Sequence, residues 1–181
     1  MNHLTGYGIT LKQLDFDSIQ LVRKWRNQDQ IRSQMEFQEV ISESEQVLWF
    51  QKLDKKVNQY FIIQIAVSPV GLIHLKNIDL KNKIAESGLF IGDNAFVGTG
   101  VSLGASILLL DYAFNQLNLQ TIQAKVQNEN TIAQQYNQLL GFAIKDKIND
   151  HFSLWELAKG DFEILRKNLI KISAAIQRLT D

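Results

Sequence analysis

The pattern of apolar and polar residues along the chain predicts a mixture of strands and helices. Apolar residues alternate loosely through Tyr7–Gln13, as in a half-buried strand, and recur at helical spacing through Asp15–Arg26. A second short helix is predicted at Gln28–Met35. Ser42 followed by Glu45 forms a capping box, which predicts the start of a third helix.

Strands dominate the middle of the chain. Two segments rich in β-branched residues, separated by the turn signal Ser68-Pro69, predict a hairpin. The predicted segments from residue 60 onward are the strands Tyr60–Val67, Val70–Ile78 and Ile84–Ile91, a helix ending at Leu117, the strand Thr121–Val126, the helix Thr131–Leu140, the strand Phe152–Leu157 and the helix Asp161–Leu179. Because strands and helices do not alternate regularly, this order predicts an α+β (mixed α/β) layer fold rather than a Rossmann sheet.

Composition narrows the class of protein. A chain of 181 residues with 45% apolar residues favours one globular domain. Nineteen basic residues balance nineteen acidic ones, so we expect no nucleic acid partner. The absence of cysteine excludes disulfides, a cysteine nucleophile and thiolate metal sites, and we expect no metal. Apolar runs are too short to cross a membrane and no signal-peptide pattern opens the chain, so a cytoplasmic protein without a membrane partner is expected.

A glycine-rich loop lies between a predicted strand and an apolar helix. Gly98 and Gly100 allow the backbone to approach a ligand closely, and the free N–H groups of the following helix point toward a bound anion. A pyrophosphate is the natural ligand, and a glycine-rich turn without a ligand is the ordinary alternative for so short a motif. The loop does not match a Walker loop, because no Lys-Ser/Thr pair follows it.

Three segments around this loop resemble the GNAT superfamily of N-acetyltransferases. They are ESGLFIG at Glu86–Gly92, VGTGVSLGASILLLDYAFNQLNL at Val97–Leu119 and NENTIAQQYNQLLGF at Asn128–Phe142, in the order and separation of that family. The resemblance implies acetyl-CoA as the co-substrate. It also implies a mixed, mostly antiparallel, twisted sheet with flanking helices, whose fourth and fifth strands splay apart to form a V-shaped cleft.

The resemblance also assigns residues to the cofactor. Backbone groups of Leu89, Phe90 and Ile91 would pair with the pantetheine arm, and Asn130 would lie beside it. The pyrophosphate would bind the loop and first helical residues, namely Val97, Gly98, Thr99, Gly100, Val101 and Ser102. Many relatives carry Gln or Arg three residues before the first glycine, where this chain has Ala95.

Acetyl transfer to an amine requires a neutral amine, a polarised thioester carbonyl and a proton for the leaving thiolate. Glu86 is the candidate base, and an ordinary surface carboxylate is the alternative. Tyr136 is the candidate acid, but the family's usual place, four residues before the glycine of Gly141-Phe142, is held by Asn137. Since one helical step rotates a side chain by about 100°, either Tyr136 or Asn137 can face the cofactor.

The N-terminal half narrows the resemblance to one branch. Its segments VRKWRNQDQIRSQMEF, EQVLWFQKL and QYFIIQ resemble the branch that contains nucleotide-sugar 4-amino N-acetyltransferases of pseudaminic acid biosynthesis. This implies a UDP-linked 4-amino-4,6-dideoxy sugar as the acceptor, of the UDP-4-amino-4,6-dideoxy-N-acetyl-β-L-altrosamine type. The candidate acceptor-binding residues are Arg26, Asn27, Met35, Glu36 and His74. Their ordinary alternatives are a surface ion pair for the arginine, core packing for the methionine and a structural role for the histidine.

Two other functions stay open. One is a ribosomal-protein-type N-terminal or small-amine N-acetyltransferase, and the other is a non-catalytic CoA-binding domain, which the departure at Asn137 keeps open. We expect residues 1–160 to form the acetyltransferase domain. The amphipathic segment 161–181 is then a helix that packs on this domain or lies at a homodimer interface.

Overall fold

One eight-stranded sheet organises the chain. The strands are β1 (His3–Gly6), β2 (Ile9–Gln13), β3 (Gln59–Ile65), β4 (Ser68–Asp79), β5 (Ile84–Ile91), β6 (Thr121–Gln127), β7 (Ala143–Lys147) and β8 (Phe152–Ala158). Their order in the sheet is β1-β2-β3-β4-β5-β6-β8-β7. All neighbours are antiparallel except β5 and β6, which are parallel. This computed structural model describes the backbone of residues 3–180 and the side chains of residues 3–175.

Helices flank both faces of the sheet. Within residues 3–180 the α-helices are α1 (Ile19–Arg26), α2 (Asp29–Arg32), α3 (Glu43–Lys52), α4 (Val101–Asp111), α5 (Thr131–Leu140) and α6 (Lys159–Thr180). The predicted capping box is present at the start of α3, where Ser42 accepts from the Glu45 N–H and the Glu45 carboxylate accepts from the Ser42 N–H. A π-helical turn at Tyr112–Gln116 extends α4. The predicted α+β architecture is confirmed.

Several local features of the structure differ from the sequence predictions; for example, α2 is shorter than the predicted helix Gln28–Met35. The predicted first strand is a hairpin, because Tyr7 and Gly8 have positive φ angles of 54° and 71° and reverse the chain between β1 and β2. The turn between β3 and β4 precedes Ser68-Pro69, which lies in the first two positions of β4. Strand β7 was not predicted, because all five of its residues are exposed and no alternation of burial marks it.

The sheet separates two apolar clusters. The larger cluster joins the strands to α4, which is buried along most of its length, and to α6. The smaller cluster joins Ile62 and Leu72 of the sheet to α1 and to Ile31 of α2. Trp25 of α1 lies against Gly92, where an added Cβ would come within 2.2 Å of the indole. The absence of a side chain at residue 92 therefore lets α1 pack directly on the end of β5.

The parallel pair β5 and β6 is joined over only three residues. Residues 84–86 of β5 pair with residues 121–123 of β6. Beyond Glu86, β5 stays paired with β4 as far as Ile91, and β6 stays paired with β8 as far as Gln127. The two strands therefore separate into a V-shaped opening, and the splay that the resemblance implied is confirmed.

Helix α6 packs along α4. Phe162 and Leu169 are 1% and 2% exposed and belong to the larger cluster. Arg166 donates through Nη2 to Oδ2 of Asp111 at 2.7 Å, which links the two helices by a charged hydrogen bond. The division of the chain at residue 160 stays a prediction, and the side chains of residues 176–181 of the predicted amphipathic helix lie outside the described ones.

Candidate active site

The glycine loop leads from the open end of β5 into α4. Gly98 and Gly100 both have φ angles of 80°, in the region that glycine adopts without strain. A Cβ built on Gly98 would meet no atom within 4 Å, so the loop has open space beside it. Gly100 is the N-cap, and no described side chain caps the helix. The first N–H groups of α4 are therefore free for an anion, and this loop fits a pyrophosphate.

The edge of β5 continues this surface toward the sheet. Leu89, Phe90 and Ile91 are half-buried and belong to the part of β5 that has no pairing with β6. Their backbone faces the V-shaped opening, where an extended pantetheine arm could pair with it. Asn130 is the N-cap of α5, and its Oδ1 accepts from the Ala133 N–H at 2.9 Å. The place of Asn130 beside the cofactor stays a prediction.

A polar cluster occupies the sheet face that α1 and α3 cover. The strand register places Tyr60 beside His74 and His74 beside Gly88, with Lys76 opposite Glu86 two pairs further along. We call Arg26, Tyr60, His74, Lys76 and Glu86 the polar cluster. It lies where β5 and β6 begin to separate.

Glu86 is held by an ion pair inside this cluster. Its Oε1 lies 2.8 Å from Nζ of Lys76, and its side chain is only 13% exposed. Burial and the nearby Glu86 carboxylate raise the pKa of Tyr60 to about 12, so the phenol stays protonated near neutral pH. The arrangement keeps a carboxylate beside a phenol donor at the mouth of the cleft. The role of Glu86 as a base stays a prediction.

His74 is neutral in this environment. Burial, reinforced by the charges of Lys76 and Arg26, lowers the pKa of the imidazole to about 3. Its ring centroid lies 5.1 Å from that of Tyr60. A Cβ at Gly88 would come within 2.9 Å of Cε1 of His74, so the glycine leaves room for the ring.

The positive charge of Arg26 has no carboxylate partner among the described residues. Nη2 donates to the Phe37 carbonyl oxygen at 3.3 Å, whereas Nη1 is buried and has no hydrogen-bond partner among the described atoms. Burial lowers the pKa of the guanidinium. Within the described residues no carboxylate forms an ion pair with it. A buried donor without a partner is unusual and calls for an acceptor at this position.

The other three predicted acceptor contacts have different surroundings. Asn27 exchanges two hydrogen bonds with the backbone of Ile41, at 2.8 and 2.9 Å, and thereby holds the segment that leads into α3. Met35 is half-buried against the smaller cluster. Glu36 is exposed and lies 3.2 Å from Nζ of Lys125 on β6, so this ion pair links the segment after α2 to the far side of the opening.

Sequence reasoning missed Tyr60, Lys76 and Lys125. Tyr60 and Lys76 lie on the same face of the sheet as His74 once β3 and β4 are paired. The register of that pairing cannot be derived from either strand alone. Lys125 is brought to Glu36 only by the folding of α2 toward β6.

Tyr136 and Asn137 lie apart from the polar cluster. The Tyr136 hydroxyl donates to the Ser102 carbonyl oxygen at 2.8 Å and lies 2.7 Å from the Ser106 hydroxyl. Burial raises the pKa of this phenol well above its ordinary value. Asn137 donates to the Ala133 carbonyl oxygen of its own helix at 2.8 Å. Tyr136 packs with the larger cluster, on the other face of the sheet from Tyr60.

Comparison with known families identifies the fold. Residues 9–143 match the family model described as the Acetyltransferase (GNAT) domain. The chain belongs to the GNAT acetyltransferase family. This GNAT chain is therefore an N-acetyltransferase, and the glycine loop and the open edge of β5 are its expected cofactor surface.

Three relatives illustrate how far this GNAT chain is similar to known proteins. It is 35% identical over 109 residues to the uncharacterized N-acetyltransferase p20 of Bacillus licheniformis, a match that spans 60% of the chain but only 58% of p20. It is 29% identical over 143 residues to the acetyltransferase PseH of Campylobacter jejuni, covering 78% of the chain and 87% of PseH. The spermidine N-acetyltransferase of Vibrio cholerae, solved with CoA and spermine, superposes with a TM-score of 0.77 at 22% identity, over 87% of this chain and 99% of that one.

Family membership and the CoA-bound neighbour support acetyl-CoA as the co-substrate of this GNAT enzyme. Among the described residues, no group of three or more His, Cys, Asp or Glu side chains is arranged to hold a metal ion. In the same part of the chain, no helix has both the length and the apolar character to cross a membrane.

Proposed function

We propose that this enzyme transfers the acetyl group of acetyl-CoA to the 4-amino group of a UDP-linked 4-amino-4,6-dideoxy sugar, for surface glycan or nonulosonic acid synthesis. The resemblance of the N-terminal half to nucleotide-sugar N-acetyltransferases supports this acceptor, and 29% identity with PseH agrees with it. The observation that carries the proposal is the guanidinium of Arg26, which has a buried Nη1 without a partner. A diphosphate would supply the missing acceptor, because guanidinium and phosphate form strong charge-assisted hydrogen bonds.

A polyamine acceptor fits the same surface less well. A polycation needs carboxylates that are free to pair with it, yet three described carboxylates around the opening are already paired with lysines. The pairs are Glu86 with Lys76, Glu36 with Lys125 and Glu156 with Lys145. The likeness to the spermidine enzyme, at 22% identity, concerns the fold. The charges at the site therefore favour an anionic acceptor.

The proposed reaction is a direct attack within a ternary complex. Bound acetyl-CoA supplies the thioester, and the acceptor amine attacks in its neutral form, forming a C–N bond as the C–S bond breaks. CoA leaves as its thiolate, which takes a proton from water, and the amine gives up one proton. Glu86 or a water beside it takes that proton. Backbone N–H groups of β5 near Leu89 polarise the carbonyl, and much of the acceleration comes from holding both substrates in line.

A thiol-release assay with acetyl-CoA tests the acceptor. We expect turnover with a UDP-4-amino sugar and much less with spermidine or with an N-terminal peptide. Arg26→Gln should raise the KM for the nucleotide sugar about 10- to 100-fold, since a hydrogen bond to a charged group is worth about 1.5–3 kcal/mol. It should leave the KM for acetyl-CoA unchanged.

The matched control is Arg23→Gln on the same helix, because Arg23 is already paired with Glu43 at 2.9 Å. Equal turnover of spermidine, or an Arg26→Gln variant that behaves like Arg23→Gln, would contradict the nucleotide-sugar acceptor. Measurable CoA binding without thiol release for any acceptor would instead favour the non-catalytic domain.

A further inference from the structure

Tyr136 occupies a position that differs from the one its family resemblance implies. The usual place for the tyrosine is held here by Asn137, so the phenol is rotated by about 100° around α5. Its hydroxyl lies between two groups of α4, the Ser102 carbonyl oxygen at 2.8 Å and the Ser106 hydroxyl at 2.7 Å.

The directions of these two hydrogen bonds follow from the chemistry of a phenol. Tyr136 has one hydroxyl hydrogen, and it is donated to the Ser102 carbonyl. The Ser106 hydroxyl must therefore be the donor in the second contact. The single proton that Tyr136 could release is committed to a backbone oxygen, and both partners belong to α4.

The location of Ser102 gives this contact a consequence for the cofactor. Ser102 is the second residue of α4 and follows the N-cap Gly100, whose φ of 80° sets the direction of the loop. Ser106, one turn further on, is buried. A hydrogen bond from α5 therefore fixes the first turn of α4, which presents its free N–H groups to an anion.

We propose that Tyr136 is a positioning residue that holds the first turn of α4 for the CoA pyrophosphate, and that it does not protonate the departing thiolate. This goes beyond the proposed function and does not depend on which amine is acetylated. To act as an acid, the phenol would have to break a buried hydrogen bond and turn away from α4. Its burial, which raises the pKa, agrees with a fixed and neutral group.

Three variants test the inference: Tyr136→Phe, Ser106→Ala and their combination. CoA affinity is measured by calorimetry without any acceptor, and both kcat and KM are measured by thiol release. We expect Tyr136→Phe to weaken CoA binding about tenfold, the equivalent of about 1.4 kcal/mol, while its turnover rate stays within about threefold of the wild type. Ser106→Ala should change the affinity in the same direction. The double variant should be no weaker than Tyr136→Phe, because the two groups act through one contact.

Tyr112→Phe is the matched control. Tyr112 lies in the extension of the same helix, but its hydroxyl donates to Oε1 of Gln59 at 2.9 Å, away from the loop. The Tyr112→Phe variant should therefore leave CoA affinity unchanged.

A turnover rate reduced about 100-fold or more in Tyr136→Phe, with CoA affinity unchanged, would overturn the inference, since loss of a general acid typically removes about 10²–10⁴-fold in rate. If Tyr136→Phe does not fold, Ser106→Ala decides: weaker CoA binding supports the positioning role, and unchanged binding overturns it. Failure of the proposed acceptor is seen separately, as absence of thiol release from a protein that binds CoA normally.

Discussion

His74 illustrates how the surroundings of one residue set its charge. Tyr60 faces the imidazole from β3, and Lys76 lies on the same strand as His74. Glu86 and Gly88 lie on β5, and the charge of Arg26 acts on the imidazole from α1. Burial and the two cations lower its pKa from 6.5 to about 3. Between these values the unfolded chain binds a proton that the folded chain does not. Stability from this residue is therefore present above pH 6.5 and falls as the pH drops toward 3.

The free energy of unfolding should change by at most about 1.4 kcal/mol per pH unit between pH 6.5 and 3 because of His74. Urea unfolding at several pH values measures it. His74→Gln should flatten the dependence on pH in this interval, because the amide does not titrate. The exposed His151→Gln variant is the control and should keep the wild-type slope. An identical slope for the wild type and His74→Gln would contradict the neutral buried imidazole.

The residues of the site differ in how readily the sequence reveals them. The glycine loop at Gly98 and Gly100 is visible in the sequence because the motif is local, and both residues have positive φ angles that glycine adopts easily. Lys76 and Lys125 were not expected, because each is defined by a partner on another element. An ion pair between elements depends on register and packing, which no short segment specifies.

At the scale of elements, the same contrast separates α5 from β7. Helix α5 begins and ends where predicted, since Asn130 caps its first turn and Gly141, with a φ of 96°, ends it. Both signals act within a few residues of the boundary. Strand β7 is held by pairing with β8 alone, and its exposed side chains show no alternation.

The contact between α4 and α6 contains a hydroxyl without a partner. Ser173 is 1% exposed, and its Oγ has no hydrogen-bond partner among the described atoms. It faces Gly104, where an added Cβ would lie 3.4 Å from Oγ. Burying an unpaired hydroxyl costs about 1–3 kcal/mol. Ser173→Ala should therefore raise the free energy of unfolding by about 1 kcal/mol, measured by urea denaturation.

Ser153→Ala is the comparison for this prediction. The Ser153 hydroxyl donates to Oδ1 of Asn128 at 2.7 Å. Its removal breaks this hydrogen bond and should lower the free energy of unfolding. A loss of stability in Ser173→Ala as large as that in Ser153→Ala would show that the buried hydroxyl has a partner.

At the scale of the whole molecule, the splay of β5 and β6 connects the glycine loop with the polar cluster around Arg26. The larger cluster supports α4 and the glycine loop on one face of the sheet, and the smaller cluster supports Arg26 on the other. The opening beyond Glu86 joins the two faces. The fold followed from family motifs, and the role of the glycine loop in cofactor binding stays a prediction. The polar cluster around Arg26 depends on charges that meet only after the sheet and its helices have assembled.

The packing of α6 determines whether the chain unfolds as one unit. Phe162 belongs to the larger cluster, and its ring centroid lies 5.5 Å from that of Phe114 at the end of α4. Phe162→Ala should lower the free energy of unfolding by about 3–5 kcal/mol. Because the loss falls on a shared cluster, circular dichroism and tryptophan fluorescence should still report one coincident transition.

Ligand binding and a surface variant sharpen this prediction. CoA at about 100 times its Kd should add about 2.7 kcal/mol to the wild type and to Phe162→Ala alike, since ligand binding adds to the stability of the whole folded unit. Ile164→Ala, at a position 77% exposed on the same helix, should change stability by no more than about 0.5 kcal/mol. Separate transitions for α6 and the sheet in Phe162→Ala would contradict a single unit and would support a boundary at residue 160. A single transition would instead mean that α6 and the sheet unfold as one cooperative unit.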